Sequence, residues 1–537
     1  MGVRLMANKL LRGTVQLSSA SFISKILGFI YMIPLGMMIG STGNALYRYA
    51  YGPYAIMISL STMGIPLAIS KMISKYNELE RQDVVQRIFK SGILLMLASG
   101  FTAFLVLYML SPLMARIVVN DSSSGNSLES VIFNIKLVSF ALIIVPPMSF
   151  LRGYFQGHQT MGPPAVSTVV EQIARVIFIL AGVFVTIKFL HLSVTAAVGV
   201  ATFAAFIGAV FGIAVLIKQV WKRRDHIFSP SAAREGSPYI SIREIFKEII
   251  QHSIPFVVMG MSLPLYQNID SYSINRILMH IGFKQHDAED INGVISYAQV
   301  LVLLPVSITT GLSVSIIPNM TKSFVANNYK MMRKQMNQSF LVLMTIMLPA
   351  AFGMFALAEP LYYIMFPNAT PEMGGGLLRV YAPAGLLIAI YGVTTSILQT
   401  VNQQKKAIAG LAAGLIVKLA LNFILPNFYP ESGFIIATYF GYLTSLTVNI
   451  IVINRNIGIN LKNIKFRLIS LIASTAIMVL VVSALKNLLI ALFFPKATYV
   501  NELIVVIIGV LAGILAFGGV LYALNFTRIK KYIKMKQ

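Results

Sequence analysis

A chain of 537 residues that is 57% hydrophobic and 11% charged, with a mean hydropathy of +0.77, is no soluble globular protein: apolar runs of about 20 residues, each enough to cross a bilayer as a helix, recur along it. The absence of cysteine excludes disulfides, thiol catalysis and cysteine-metal sites. A net charge of +25 would point to nucleic acid in a soluble protein, but here its distribution matters more than its sum, and no nucleic-acid partner is expected.

The basic start, MGVRLMANKLLRG, leads into a long apolar segment without a clear small-residue cleavage site, so it reads as an uncleaved first helix, with a signal peptide as the alternative. Apolar runs between polar breaks then predict an all-α polytopic membrane protein with fourteen transmembrane helices, near 14–39, 51–70, 91–110, 131–151, 163–187, 193–217, 249–273, 291–317, 337–358, 377–400, 407–426, 433–453, 468–489 and 503–526. An even number puts both termini on one side. Most of the 43 Lys and Arg lie in the termini and the even-numbered connections, so the positive-inside rule predicts that both termini are cytoplasmic.

Two stretches repeat at an offset of about 247 residues. Leu151 to Arg175, LRGYFQGHQTMGPPAVSTVVEQIAR, reads as a helix end, a polar turn, a Pro163-Pro164 restart and a new helix carrying Glu171 and Arg175 on one face. Its echo, Leu398 to Asn422, places Gln403 on Gln156, Lys418 on Glu171 and Asn422 on Arg175. Residues 51–90 and 297–338 resemble each other at nearly the same offset. Six helices per half make the repeats parallel. The expected division is residues 1–217 as an N-terminal lobe and 218–248 as a basic cytoplasmic linker. A C-terminal lobe follows at 249–455, then 456–537 with helices thirteen and fourteen as an appended hairpin and a basic tail. Within and beyond the linker, residues 240–250 read as an amphipathic piece on the membrane surface or as a solvated loop.

Five of the charges inside predicted spans are the candidates: Lys25, Arg175 and Lys418, with Glu171 and Asp270. Each costs roughly 2.5–3.5 kcal/mol at a helix centre, so such residues face a cavity or a partner. Arg152, at the start of a turn, reads as ordinary positive-inside charge. The acids Asp287, Glu289 and Asp290 read as a cluster in an outer loop, and the Phe and Tyr as mostly lipid-facing and interfacial. That outer-loop cluster is the only group of acids and the six His are scattered, unlike the clustered acids or His at a membrane face that metal or acid–base chemistry needs, so neither an enzyme nor a cofactor is expected. Cations exceed acids among the buried charges, which favours an anionic substrate over a drug:cation antiporter. A non-transporting scaffold for wall-synthesis enzymes shares the same pattern.

The segments ISKILGFIYMIPL (Ile23 to Leu35), RGYFQGHQTMGPPAVSTVVEQIARV (Arg152 to Val176) and SIIPNMTKSF (Ser315 to Phe324) resemble the polysaccharide-transporter branch of the multidrug/oligosaccharidyl-lipid/polysaccharide (MOP) exporter superfamily, within it the SpoVB/YtgP-like group of bacterial lipid II flippases. The resemblance implies a V-shaped pair of pseudo-symmetric six-helix lobes around a central cavity, plus a C-terminal two-helix hairpin whose groove takes a lipid tail. It implies alternating-access transport of an undecaprenyl-pyrophosphate-linked wall precursor across the plasma membrane, with the lipid-linked oligosaccharide, membrane lipids and cell-wall synthesis proteins as partners. Exporters of other lipid-linked polysaccharides share these features.

Site residues carry over in part. Lys25 stands where Gram-negative lipid II flippases have a helix-1 arginine; a lysine snorkelling to the interface is the alternative. Tyr31 stands where they have a second arginine, and their Y-A-D-R element reads Tyr297, Ala298, Gln299, Val300. Arg48 and Arg276 are candidate replacements, or interfacial anchors, and Arg175 completes the candidate substrate-binding set. Some relatives place sodium between a helix-7 acid and helix-11 oxygens. Here Asp270 supplies the acid, but Lys418 and Asn422 stand in helix 11. An ammonium in the ion's place, paired with Asp270, is the expectation, with Glu171–Arg175 as its first-lobe counterpart.

Overall fold

The structure, a computed structural model, describes residue 16, residues 19–20, 23–24, 27–28, 30–62, 65–119, 126–158, 160–224, 261–459, 464–494 and 496–534. Lys25, the predicted amphipathic piece and most of the predicted linker lie outside them. The described residues are all-helical, with no strand among them. Ten helices are long and apolar enough to cross a membrane, and an eleventh span forms if the pair Pro371–Tyr381 and Ala384–Thr400, bent by 42°, counts as one. Among the described residues these match eleven of the predicted spans; much of the first (14–39) and seventh (249–273) lies outside the described residues, and the second (51–70) includes the undescribed 63–64.

Contacts divide the chain into two compact units, Met1–Met279 with Phe283–Glu289, and His280–Gly282 with Asp290–Gln537. The helix predicted as the seventh span is thereby counted with the first unit.

The first unit contains α1 (Met32–Thr62), α2 (Ile65–Glu78), α3 (Gln82–Val118), α4 (Leu128–Ser139), α5 (Ala141–Gly157), α6 (Gly162–Lys188), α7 (Val194–Lys222) and α8 (Ser262–His280). The break expected between the first two spans is instead a kink within α1. It sits at Gly40, whose φ of 67° is open to glycine but strained for other residues. The described part of the seventh predicted span, α8, has a polar sequence, yet Asn268, Asp270, Ser271 and Asn275 are buried. Asn275 Nδ2 donates to the Tyr49 hydroxyl at 2.5 Å.

The closest helix packing of this unit joins α6 to α7, and the reason is in the α7 sequence. Ala197, Ala201, Ala204, Ala205, Gly208 and Gly212 recur three and four residues apart and are buried. Small side chains at that spacing let two backbones approach. A Cβ at Gly208 would stand 2.8 Å from the Glu171 carbonyl, and one at Gly212 would stand 2.8 Å from Met148 Sδ.

The second unit holds most of α9 (Gln285–Val325), then α10 (Tyr329–Ala356), α11 (Ala358–Met365), α12 (Pro371–Tyr381), α13 (Ala384–Thr400), α14 (Gln404–Ile424), α15 (Gly433–Asn456), α16 (Lys465–Leu492) and α17 (Tyr499–Lys534). α16 and α17 pack as a hairpin, and α16 lies along α10. Met478 and Val482 close over Ala356 and Leu357. Lys486 Nζ reaches Glu359 at 3.1 Å, and Arg379 holds the other carboxylate oxygen at 2.9 Å.

Candidate functional site

The stretch 151–175 folds as α5, a turn and α6. Gly157 ends α5 where a Cβ would meet Ile73 at 2.6 Å, so the chain passes close over α2, and Ser74 Oγ donates to the Gly157 carbonyl at 2.8 Å. Pro163 and Pro164 sit in the first turn of α6, where their missing N–H groups cost nothing.

Glu171 then becomes the centre of an ion cluster. Arg175, four residues on, places Nη2 at 3.2 Å from Oε1. Arg152 of α5 places Nη2 at 2.7 Å from Oε2 and also donates to Ser167 Oγ at 2.9 Å, while Ser167 donates to the Gly212 carbonyl at 2.8 Å. Arg152 is thus no ordinary loop cation: it lies inside α5 and holds the acid. The spacing of 19 residues across a turn hid this pairing. Two guanidinium groups around one carboxylate leave a net positive charge.

A ladder of tyrosines faces that charge. Tyr47, Tyr51 and Tyr54 recur on one face of α1, with Tyr47 stacked on Tyr51 and Tyr51 edge-on to Tyr54, each pair 5.0 Å apart. Arg175 lies within Coulombic reach of all three. Tyr31 meets Tyr47 hydroxyl to hydroxyl at 3.3 Å. Buried without a hydrogen-bond partner are Arg175 Nε, the Tyr54 and Tyr272 hydroxyls and Asn268 Oδ1. The expectation of lipid-facing tyrosines fails here: Tyr31, Tyr47, Tyr49 and Tyr54 are core residues. Aromatic count alone carried no signal; the i, i+4, i+7 spacing did.

Arg48 donates through Nη2 to the Gln267 carbonyl at 3.2 Å. Arg276 donates to the Arg116 carbonyl at 2.7 Å, in the last turn of α3, where a cation offsets the exposed carbonyls. Asp270 is buried. The three acids of the expected outer loop lie in the first turns of α9 with different fates. Asp287 is exposed beside His286, and Asp290 accepts from Thr370 at 2.7 Å. Glu289 is fully buried and accepts from the Asn126 backbone and side chain at 2.8 Å each and from Gln285 at 2.9 Å.

In the second unit Lys418 is 0% exposed and donates to Thr438 Oγ1 at 2.6 Å. Asn422 lies one turn on, also fully buried. Ser445 Oγ to the Gly410 carbonyl, 3.0 Å, ties α15 to α14, and Asn449 donates to Thr394 and Thr395 of α13. Gln299, at the aspartate position of the Y-A-D-R element whose arginine is Val300 here, donates to the Tyr381 hydroxyl at 2.7 Å, and Tyr297 stacks on Phe366 with centroids 4.1 Å apart. Among the described residues no cluster of His, Asp or Glu has the spacing of a metal site.

Comparison with known proteins agrees with this architecture. The chain matches the family described as polysaccharide biosynthesis protein over residues 10–324 and the MatE family over residues 255–424. It is 36% identical over 521 residues to the lipid II flippase MurJ of Bacillus subtilis (strain 168), covering 96% of this chain and 95% of that one. Its fold is that of a solved lipid II flippase MurJ in an inward closed conformation, with a TM-score of 0.68 at 14% identity, covering 95% of this chain and 99% of that chain. An inward-facing multidrug resistance MATE family transporter of the MOP superfamily also aligns, with a TM-score of 0.62 at 13% identity over 85% of this chain and 98% of that one. The chain belongs to the polysaccharide biosynthesis protein family, in the MOP superfamily of multi-pass membrane transporters.

Proposed function

We propose that this chain is a lipid II flippase, moving undecaprenyl-pyrophosphate-linked peptidoglycan precursor from the inner to the outer leaflet of a bacterial plasma membrane. The observation that carries the reading is the 36% identity over nearly the full length of both chains to a lipid II flippase. It is a transporter and not an enzyme. Transport by alternating access, fourteen spans and two cytoplasmic termini complete the proposal.

The cargo explains why cations are placed in an apolar protein. A pyrophosphate must be held as an anion out of bulk water, and only fixed cations and directed donors do that well. Lys25, Arg48, Arg175 and Arg276 are the proposed contacts. Of these, Arg175 is supported by its buried, unpartnered Nε and the tyrosine ladder beside it. Glu171 holds and partly offsets Arg175, and Asp270, Lys418 and Asn422 are proposed as the gating or coupling set, with Lys418 in the place of a coupling ion. Binding to cell-wall synthesis proteins belongs to the same proposal.

The test is complementation. The resident lipid II flippase of a bacterium is depleted, this chain is expressed, and lipid II on the outer leaflet is followed. Rescue that Lys25→Ala and Arg175→Gln abolish at equal protein level is the expected result. Failure of well-inserted wild-type protein to rescue overturns the reading. The outcome then favours export of another lipid-linked polysaccharide, a reading the match of residues 10–324 to the polysaccharide biosynthesis family supports.

A further inference from the structure

Glu289 belongs to neither the ion cluster nor the proposed transport set. It sits in the first turns of α9, is 0% exposed, and among the described residues no cation pairs with it. A buried carboxylate without a counter-ion keeps its charge only through hydrogen bonds. Its partners are neutral N–H groups. Oε2 accepts from the Asn126 backbone nitrogen and from Asn126 Nδ2, at 2.8 Å each, and Oε1 accepts from Gln285 Nε2 at 2.9 Å.

The amides that supply these bonds are locked in orientation. Asn126 Nδ2 also donates to the Thr42 carbonyl of α1, and Gln285 Nε2 also donates to the Asn126 carbonyl, both at 3.1 Å. Turning either amide over would set its oxygen against a carbonyl. The donor nitrogens have no lone pair to offer, so a proton on either carboxyl oxygen would face a donor, and at least one bond must break. The ring so broken joins α9 to α1 through Asn126, the residue before the α4 N-cap, Ser127. All of its members lie in the first unit.

The charged neighbours leave this logic intact. Among the described residues His286 is the charge that reaches Glu289; protonated, it favours the carboxylate, but it is exposed beside Asp287. Asp290 accepts from Thr370. Thr42 and Asn126, which meet the carboxylate's network from α1 and from the start of α4, are neutral.

We propose that Glu289 is a proton-operated clasp: ionised, it fastens the start of α4 to α1 and α9, and uptake of one proton by the carboxylate releases Asn126. The connections after the third and seventh predicted spans meet here, and in the orientation proposed above both face outside. The clasp does not depend on the cargo, and that orientation decides only which compartment supplies the proton.

The experiment is hydrogen–deuterium exchange of the purified full chain in detergent, read on peptides covering 126–134 and corrected for the intrinsic pH dependence of exchange. Between pH 7.5 and pH 5 exchange there is expected to rise about tenfold or more, as the loss of one hydrogen bond to a charged acceptor implies, while peptides of α16 stay unchanged. Glu289→Gln, whose amide puts a donor where the carboxyl proton would stand, is expected to exchange fast at both pH values. His286→Gln is expected to open at higher pH than wild type, because a charge that favours the carboxylate is gone. Glu129→Gln, at an exposed acid of α4, is expected to keep the wild-type response. Slow exchange at both pH values in wild type overturns the proposal without any variant, so a Glu289→Gln that fails to fold leaves the test standing. An equal rise in α16, a pH response that survives Glu289→Gln, or one that His286→Gln abolishes also overturns it.

Discussion

The helices α6 and α14 stand at equivalent places in the two sequence repeats, and they solve the problem of a charge inside a membrane protein differently. On α6 the charge is compensated by charge: Glu171 sits between Arg152 and Arg175, with side chains 14%, 18% and 17% exposed. On α14 the ammonium of Lys418 is taken fully inside, with a neutral hydroxyl, Thr438 Oγ1, among its partners. An ion cluster with some access to water keeps its formal charges at modest cost. A fully buried cation depends on its hydrogen bonds, because its hydration is gone.

The largest effect that sharpens this contrast is expected from Glu171→Ala. It leaves two guanidinium groups without their acid, and breaking one side of such a buried network costs about 3–5 kcal/mol. Thermal scanning in detergent, or the yield of monodisperse protein, reads it. Glu171→Ala with Arg152→Ala is expected to recover part of the loss, since only one unpaired cation remains. If the double variant is no better than the single, the cluster is not what α6 depends on.

Thr438→Val is next. A buried ammonium that loses an acceptor costs about 1–3 kcal/mol, less than the acid of α6, because the lost partner is neutral. Thr438→Ser, which keeps the hydroxyl, is expected to lie within about 1 kcal/mol of wild type. A Thr438→Val loss as large as that of Glu171→Ala would erase the distinction between the two helices.

The backbones around the two charges differ as well. At Gly208 an added Cβ meets the carbonyl of Glu171 at 2.8 Å, which cannot move without disturbing α6. At Gly410 it meets the Val448 side chain at 3.1 Å, which gives by a few tenths of an ångström. Gly208→Ala is therefore expected to cost about 1–3 kcal/mol by overpacking, and Gly410→Ala less than about 1 kcal/mol. Equal costs in a thermal scan would show that the small-residue stripe of α7 is not setting the α6–α7 distance.

How far the sequence carried this picture depends on what each feature leaves behind in composition. Spans with one continuous apolar run, such as Gly162–Lys188 and Lys465–Leu492, are legible because burial in lipid demands apolar residues all along. α8 is a helix of low hydropathy because its buried polar residues have protein partners instead of lipid, and periodicity reports only the sum. Between the first two predicted spans, residues 40–50 read as a connection, whereas the backbone leaves the helix at Gly40 alone and resumes it at once. Glu171 and Arg175 are visible as neighbours because they are four residues apart, whereas Arg152 joins them through a turn that local spacing does not encode. Glu289 was indistinguishable from Asp287 and Asp290 for the same reason: its donors, Asn126 and Gln285, come largely from elsewhere in the chain.

The smallest expected effect separates the two turns that precede these helices. In the first, His158 accepts no charge easily: burial lowers its pKa below the usual imidazole value, the Arg223 charge lowers it further, and only the bond of Nδ1 to the Tyr154 carbonyl, 3.0 Å, opposes them. In the second, the repeat places the exposed Lys405 at that position. A histidine with a lowered folded pKa binds its proton more readily in the unfolded chain. Its contribution to stability is therefore complete above the unfolded value of about 6.5 and is lost as the pH falls from there toward the lower folded value. His158→Gln, which keeps a donor for the Tyr154 carbonyl and cannot titrate, is expected to flatten the wild-type decline in melting temperature between pH 7 and pH 5, while Lys405→Gln leaves the slope unchanged. A slope that survives His158→Gln would move the acid sensitivity of the fold away from this turn.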